Sequence, residues 1–321
     1  MSPTQSSVPA ATSEGRVAGP RGQTWYRVTG DLAVSRERGL TPLVILHGGP
    51  GVPHDYLLRM ARIAETGRAV VHYDQLGCGR STHLPEADAG TWSVELFLEE
   101  LDRLLAALRI EDDHLVLGQS WGGMLAAEHA IRRPPGLRGV VLANSPASVP
   151  LWSHGVDRLR QALPAGVQAV LDRHEAAGTT SSAEYKEAET AFYDRHVLRM
   201  TPYPAEVTSS FALLEEDPTV YHTMWGPNEF SAEGSLSGWS VVDRLDRIGA
   251  PVLVLRGEHD EATAECVTPL VDGIAGARLR VFAESSHMPH IEEEAAFRAV
   301  VEEFLADCDA RPQRPAAVTS R

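Results

Sequence analysis

A serine lies at the centre of a glycine-rich pentapeptide, Gly118-Gln119-Ser120-Trp121-Gly122, which follows a short apolar run and precedes a helix-like stretch. This G-x-S-x-G pattern, between a strand and a helix, is typical of a sharp turn that exposes a nucleophilic serine. The turn needs small residues two positions before and after the serine, because neighbouring backbone comes too close for side chains. We therefore predict that Ser120 is a nucleophile. The alternative is a tight turn with an incidental serine.

A serine hydroxyl attacks a carbonyl efficiently only when a base accepts its proton and an acid orients that base. In chains that carry this turn, the acid follows a late strand and the histidine follows the last strand. Asp260 in "VLVLRGEHDEAT" and His287 in "RVFAESSHMPH" occupy those positions, and we predict that they complete a catalytic triad. The competing candidates are neighbouring acids and histidines, namely Glu258, His259, Glu261 and His290.

Acyl transfer also requires hydrogen-bond donors for the oxyanion of the tetrahedral intermediate. The backbone N–H of Trp121, directly after the serine, is one expected donor, and the second should come from the loop after an early strand. That loop is "LHGGPG", in which we choose Gly49. A phosphate-binding loop is the alternative for these glycines, but the terminal GK[ST] and the GxGxxG spacing are both absent.

The elements that must position these residues alternate along the chain. Six short apolar runs are typical of strands buried on both faces: "LVILH" (43–47), "AVVHYD" (69–74), "HLVLG" (114–118), "GVVLAN" (139–144), "PVLVLRG" (251–257) and "RLRVFA" (278–283). Stretches with apolar residues at three- and four-residue spacing predict helices at 93–110, 121–133 and 292–308. Strands separated by helices predict an α/β fold with a mostly parallel central sheet flanked by helices.

This alternation stops over residues 150–240, where the sequence is helix-like and acidic without a convincing strand. We interpret 150–240 as a helical cap inserted into a core formed by 21–149 and 241–309. The end segments 1–20 and 310–321 are rich in Pro, Ser, Thr and Ala, a composition that predicts disorder because it buries little apolar surface.

Composition narrows the classes of partner. The formal net charge of -15 at pH 7 argues against nucleic acid and anionic membranes, and is compatible with a cationic ligand. No stretch of the sequence is expected to span a membrane or to act as a signal peptide. Three widely spaced cysteines favour neither a disulfide framework nor a metal site, so we expect a reducing cytoplasm, with no metal and no cofactor. The oligomeric state cannot be read from the sequence.

Several motifs together resemble the prolyl aminopeptidases (proline iminopeptidases), including the tricorn-interacting type, in the α/β-hydrolase superfamily. They are "HGGPGVPHDYL", "HYDQLGCGRST", "GQSWGG", "MWGPNEF" and the segment from "GEHDEAT" to "SSHMPHIEE". The resemblance extends from about residue 22 to 306 and includes the cap. It implies an α/β-hydrolase fold with an inserted helical cap.

The resemblance further implies release of one N-terminal residue, often proline, from short peptides or amides through an acyl-enzyme. By matching motifs, the carboxylates that hold the substrate's amino terminus are Glu229 in "GPNEF" and Glu261 after Asp260. Two carboxylates beside the scissile bond can bind an ammonium group and reject blocked substrates. For both residues the alternative is a solvated surface glutamate.

Four functions are compatible with these residues: a prolyl-type aminopeptidase, an amidase of amino-acid amides, a generic esterase or lactonase, and a non-catalytic protein of the same fold. An esterase would not need the paired glutamates, and the complete triad disfavours the non-catalytic protein. The aminopeptidase is the main hypothesis. Trp225 and Trp239 are expected to pack within the cap, and Cys78 is expected to be a neutral buried thiol.

Overall fold

The computed structural model describes residues 9–312, which form one eight-stranded sheet flanked by helices. The strands are β1 (Ser13–Gly19), β2 (Gly22–Thr29), β3 (Leu43–Leu46), β4 (Val70–Tyr73), β5 (His114–Gln119), β6 (Leu137–Ala143), β7 (Val252–Gly257) and β8 (Arg278–Phe282). Their order in the sheet is β1-β2-β4-β3-β5-β6-β7-β8. β1 and β2 run antiparallel to their neighbours, and all the other neighbouring strands are parallel.

Helices cover both faces of this sheet and fill the connections between the parallel strands. They are α1 (Leu32–Glu37), α2 (Val94–Leu108), α3 (Trp121–Ile131), α4 (Val149–Gln161), α5 (Ala165–Ala177), α6 (Ala183–His196), α7 (Ala205–Glu216), α8 (Thr219–Met224), α9 (Ala264–Gly273), α10 (Pro289–Glu292) and α11 (Glu294–Asp309). Segments of 3-10 helix lie at His54–Thr66, Ala89–Thr91 and Val242–Arg247. No helix within 9–312 has both the length and the apolar character needed to cross a membrane.

The side chains of the central strands lie in the hydrophobic core. All side chains of β3 and β5 are buried, because helices pack on both faces of the sheet, and a parallel strand in that position must be apolar on both sides. α3 packs on β5 and β6, and α2 packs on α3. Ser93 caps the start of α2 by accepting a hydrogen bond from the amide of Leu96 at 3.3 Å, which fixes where that helix begins. The expected α/β fold with a mostly parallel sheet is confirmed.

The six predicted strands and three predicted helices are all present, with ends shifted by a few residues. The disorder expected over 1–20 is wrong for Ser13–Gly19, which form β1. β1 pairs with β2 along its whole length, from Ser13 with Val28 to Gly19 with Gly22. The side chains of β1 bury little surface, but backbone hydrogen bonds to β2 stabilise this segment. Amino-acid composition does not indicate such hydrogen bonds. Residues 1–8, and 313–321 of the expected disordered tail, lie outside the described residues.

Between β6 and β7 the chain forms α4 to α8 and no strand longer than a single bridge, Ser148 with Ser240. This segment supplies Val197, Phe211 and Glu229 to the cleft that contains Ser120. Helix α7 packs on the 3-10 segment that begins at His54, and α4 packs on α9. The helical segment therefore forms one wall of the cleft.

A buried carboxylic acid on α2 makes the stability of the fold dependent on pH. Glu100 is 3% exposed, and its Oε1 accepts hydrogen bonds from the Thr24 hydroxyl and, at 2.9 Å, from the Leu76 amide. Its Oε2 has no hydrogen-bond partner within residues 9–312. Burial raises the pKa of Glu100 from 4.5 to about 7, although the two hydrogen bonds and Arg103 lower it. The neutral acid is therefore favoured in the folded state.

Between pH 4.5 and about 7 the folded protein retains a proton on Glu100 that the unfolded chain releases, so stability falls as the pH rises through this interval. Replacing Glu100 with Gln removes this contribution. From about pH 5.5 to about pH 8.5, the wild type should lose about 2 kcal/mol more free energy of unfolding than Glu100→Gln, measured by urea denaturation. Glu99→Gln, an exposed neighbour on the same helix, is the control. Parallel pH curves for wild type and Glu100→Gln would contradict the expectation.

Candidate active site

Ser120 lies at the turn from β5 to α3, with φ 56° and ψ −123°. The approach of the backbone around it is very close. A Cβ atom on Gly118 would lie 2.0 Å from the carbonyl oxygen of Gly122, and a Cβ on Gly122 would lie 2.1 Å from the carbonyl oxygen of Leu46. Only glycine fits at both positions, as the sequence pattern predicts. The strained backbone presents the serine at the carboxyl edge of the sheet.

Asp260 and His287 meet at the same edge, after β7 and β8. His287 Nδ1 lies 2.7 Å from Asp260 Oδ1, and both side chains are buried. The same carboxylate accepts hydrogen bonds from the amide of Ala262 at 2.8 Å and from Nδ2 of Asn144 at 2.6 Å. Asn144 also donates to the carbonyl of Ser286, the residue before His287, at 3.3 Å. It thus ties the acid to the loop that carries the histidine.

Two of the competing residues, His290 and Glu258, are held elsewhere. His290 Nε2 lies 3.2 Å from the Tyr56 carbonyl, and burial lowers the pKa of His290 to about 3. Glu258 is exposed and pairs with Arg256 at 3.2 Å. The structure therefore brings together the acid and the histidine that the sequence favours.

Ser120, His287 and Gly49 line one cleft, of about 300 Å³ including its open mouth. The described residues show no hydrogen bond between Ser120 Oγ and the His287 ring. In substrate-free active sites such contacts are often long and shorten when substrate binds. Gln119, beside the serine, donates from Nε2 to the His287 carbonyl at 3.1 Å and so links the turn to the histidine loop.

The proposed oxyanion donors are left available by their surroundings. Neither the Gly49 nor the Trp121 amide donates to an acceptor within residues 9–312. The preceding glycine differs, because the Gly48 amide donates to the Tyr56 hydroxyl at 2.7 Å, and that hydroxyl donates to Gln119 Oε1 at 2.5 Å. Gly49 adopts φ 105°, a left-handed value that favours glycine. Trp121 begins α3, where the first amides of a helix lack intrahelical acceptors.

Glu229 and Glu261 converge on the same site. Glu261 Oε1 lies 3.8 Å from His287 Nε2, and Glu229 lines the cleft with Ser120. The Tyr221 hydroxyl donates to Glu229 Oε1 at 2.8 Å. Glu261 is 0% exposed, and neither of its carboxylate oxygens has a hydrogen-bond partner within residues 9–312. These positions do not fit the alternative of solvated surface glutamates.

The two carboxylates disfavour each other's charge. Burial raises the pKa of Glu229, and burial raises that of Glu261 well above its usual value. The negative charges of Glu229 and Asp260 raise the pKa of Glu261 further. A buried carboxylate without a hydrogen-bond donor is costly unless a cation pairs with it. The arrangement is therefore suited to a cationic ligand.

The sequence analysis did not single out Trp152, which lies on α4 and is buried beside the histidine. Its ring centroid lies 5.6 Å from that of His287 in an edge arrangement, and its Nε1 donates to the Glu229 carbonyl at 3.2 Å. Trp225 meets Trp152 edge to face at 5.3 Å, whereas Trp239 donates to Glu128 at 3.0 Å. Trp225 thus packs in the cap, as expected. Its partner there is Trp152, so Trp225 belongs to a tryptophan pair that borders the site. No local motif surrounds Trp152, so the only available signal was an aromatic residue at the start of the cap.

One group of side chains within residues 9–312 has ligand atoms close enough together to share a metal ion: His54, Asp55 and Asp74. Protein partners already match their charges. His54 Nδ1 lies 2.7 Å from Asp74 Oδ1, and the Arg80 guanidinium donates to both Asp55 oxygens at 3.0 and 3.1 Å. We interpret this group as an ion-pair network that holds the loop after β4.

The cysteines are all free and buried. Burial raises the pKa of the Cys78 thiol well above its usual value, with the charges of Asp74 and Glu100 acting in the same direction. A thiol with a raised pKa is a poor nucleophile. This agrees with the expectation of a neutral buried group at Cys78.

Residues 41–294 match the family model of the alpha/beta hydrolase fold. Among curated proteins, the chain is 36% identical to a proline iminopeptidase of Lactobacillus delbrueckii subsp. bulgaricus over 291 residues, which cover 89% of this chain and 95% of that protein.

Two solved structures are similar over almost the whole chain. A proline iminopeptidase of Mycobacterium smegmatis superposes with a TM-score of 0.87 and 50% identity, covering 92% of this chain and 99% of the other. A protein named VinJ superposes with a TM-score of 0.90, also at 50% identity, covering 93% of this chain and 100% of the other.

Proposed function

This chain belongs to the proline iminopeptidase family of α/β hydrolases, and from that membership and the site geometry we infer the roles of its residues in an aminopeptidase reaction. The protein is a serine hydrolase that releases an N-terminal amino acid. We propose that the first residue of the substrate is proline or another small apolar residue. The hydrogen bond of 2.7 Å between Asp260 and His287, at the strand edge that carries Ser120, is the observation that supports this assignment best.

In the proposed mechanism, His287 Nε2 accepts the proton of Ser120 Oγ while the serine oxygen attacks the carbonyl carbon of the first residue. The amides of Gly49 and Trp121 stabilise the resulting oxyanion. The imidazolium then gives its proton to the leaving nitrogen, the carbon–nitrogen bond breaks, and an acyl-enzyme remains. Water attacks this ester with His287 again as the base, which releases the amino acid and restores the serine.

Glu229 and Glu261 are proposed to bind the substrate's amino group. A protonated N-terminal amine, or the secondary ammonium of proline, can donate to both carboxylates. Glu261 supports this role because its oxygens have no hydrogen-bond partner within residues 9–312, so a substrate cation would supply the missing donors. A blocked amine would lack this charge and add bulk in the same place. The site therefore discriminates by charge as well as by size.

We expect Glu261→Gln to lower kcat/KM for a free-amine arylamide by about tenfold to a hundredfold, the effect of one charge-assisted hydrogen bond. Hydrolysis of a short-chain acetyl ester should change little, because this substrate presents no ammonium group. The measurement is kcat/KM for prolyl arylamide and for the ester, with Glu258→Gln as the exposed neighbouring control. Equal losses on both substrates would remove the amine-binding role and leave a general effect on the triad.

The second candidate is an amidase of amino-acid amides, which would use the same residues. The amidase differs from the aminopeptidase only in the leaving group. The two classes are separated by measuring activity on proline, alanine and leucine arylamides and amides, on their N-blocked forms and on an ester. Activity on the ester alone would overturn the aminopeptidase assignment. A cytoplasmic location stays a prediction from the cysteines.

A further inference from the structure

A buried glutamine connects the two segments that supply the proposed oxyanion donors. Gln75 lies two residues after the end of β4 and is 1% exposed. Its Oε1 accepts a hydrogen bond from the Trp121 indole Nε1 at 2.8 Å, and its Nε2 donates to the His47 carbonyl at 3.1 Å. His47 lies two residues before Gly49, whereas Trp121 itself carries the other donor amide. One side chain thus joins the loop after β3 to the start of α3.

The partners of Gln75 decide which end of its amide is the oxygen. An indole N–H can only donate and a backbone carbonyl can only accept, so the oxygen faces Trp121 and the NH₂ group faces His47. An ionised carboxylate of the same length has no donor, and a thioether has only a weak acceptor. The two hydrogen bonds together therefore fit glutamine.

The backbone of Gln75 also fixes the tautomer of His47. The Gln75 amide donates to His47 Nε2 at 2.9 Å, so the ring proton lies on Nδ1, which is 3.0 Å from the Gly48 carbonyl oxygen. Burial lowers the pKa of His47 to about 4, so the neutral ring is the form present near pH 7. His47 Nδ1 therefore donates to the Gly48 carbonyl.

This hydrogen bond orients one of the proposed oxyanion donors. The Gly48 carbonyl and the Gly49 N–H belong to the same planar peptide unit, and in a trans unit they point in opposite directions. The carbonyl is held by His47 and, at 3.4 Å, by the Val52 amide, so the direction of the Gly49 N–H is fixed. The indole bond to Gln75 holds the first residue of α3, whose amide is the second donor.

Resting on the proposed function, we propose that Gln75 is a positioning residue that holds the Gly49 and Trp121 amides where the oxyanion forms. Neither Gln75 nor His47 is among the described residues that line the cleft, so Gln75 would act through other groups and not on the substrate. Charge develops on the oxyanion only in the transition state. The link should therefore affect kcat and leave binding of the amine nearly unchanged. The alternative is a buried glutamine that only stabilises the fold.

The first variant is Gln75→Met, which keeps the length of the side chain and removes both of its hydrogen bonds. We expect kcat to fall about tenfold to a hundredfold for prolyl arylamide and for the acetyl ester alike, with little change in KM. Both substrates form an oxyanion, and misplaced donors cost about this much. Gln161→Met makes the same change at an exposed position and should alter neither constant. A thermal unfolding curve measures any loss of stability separately.

The distinguishing measurement compares two inhibitors that share the pyrrolidine amine. In pyrrolidine-2-boronic acid, Ser120 Oγ forms a bond to boron while its proton passes to His287, and one hydroxyl of the tetrahedral boronate takes the place of the oxyanion. Prolinol has the same amine but no electrophile. Gln75→Met should raise the inhibition constant of the boronic acid about tenfold to a hundredfold and leave that of prolinol unchanged. An equal change for both inhibitors, or a change in Tm alone, would make Gln75 a structural residue and overturn the proposal.

Trp121→Phe tests the same link from its other end and stays informative if Gln75→Met does not fold. It removes the indole donor and keeps the backbone amide, so affinity for the boronic acid should fall while affinity for prolinol is kept. The double variant should lose no more than the larger of the two single losses, because both changes break one link. Losses that multiply would contradict positioning through the indole.

Failure of the positioning role differs from failure of the proposed function. If Ser120→Ala bound the boronic acid as tightly as the wild type, the serine mechanism itself would be overturned. Affinity that depends on Ser120 but not on Gln75 would keep the aminopeptidase and overturn only the role of the glutamine.

Discussion

Ser120→Ala is expected to lower kcat for prolyl arylamide by about a millionfold, the scale of losing the nucleophile of an acting triad. Without Oγ no acyl-enzyme can form, so the release of arylamine in a single turnover should also disappear. The fold should remain, because alanine has the size to occupy the same turn and Ser120 Oγ bonds no group within residues 9–312. Steady-state kinetics, single-turnover kinetics and a thermal unfolding curve measure the three expectations.

Ser145→Ala is a matched control, since Ser145 is a buried serine close to Gly123 in the same helix–strand contact and its hydroxyl has no partner among the described residues. This variant should retain full activity. Substantial turnover by Ser120→Ala, with a normal unfolding curve, would contradict the assignment of the nucleophile. It would require another group to attack the substrate carbonyl.

Asp260→Asn is expected to reduce kcat by about ten-thousandfold, the effect of losing the carboxylate that orients a catalytic histidine. Asp260 accepts at both oxygens: from His287 and Ala262 at one, and from Asn144 at the other. An amide has one acceptor oxygen and one donor group, so it cannot satisfy all three donors. Either His287 loses its tautomer and orientation, or the NH₂ group of the introduced amide faces that of Asn144 and two donors oppose each other.

Asp243→Asn makes the same chemical change at an exposed position and should leave kcat unchanged. The loss for Asp260→Asn should appear in kcat for both arylamide and ester substrates, because the acid acts on the histidine and not on the amine. A defect confined to free-amine substrates would instead place Asp260 among the groups that bind the amino terminus. A loss of about tenfold or less on both substrates would make it a packing residue.

Some features of this protein can be predicted from short stretches of its sequence. The turn at Ser120 depends on contacts among residues four apart, Gly118 with Gly122, so a pentapeptide and its flanking strand and helix suffice to predict it. The buried parallel strands are predictable for a similar reason, because a strand covered on both faces is apolar at every position. The order of serine, acid and histidine follows from where those strands end.

Other features depend on contacts between residues that are far apart in the sequence. β1 was missed because its stability comes from pairing with β2 and not from its composition. Trp152 and Phe211 reach the site through the packing of helices far from Ser120 in sequence. The sequence favours His287 over His290 by its position after the last strand, and only the tertiary structure places His290 against the Tyr56 carbonyl.

The sequence by itself therefore determined the fold class and the type of chemistry, because short-range sterics and strand burial leave recognisable patterns. Only the tertiary structure decided that Glu261 is enclosed without a hydrogen-bond donor within residues 9–312. Burial and the surroundings of a charge arise from elements distant in the chain. For this reason the nucleophile could be predicted from one short motif, whereas the burial of Glu261 beside His287 required the folded structure.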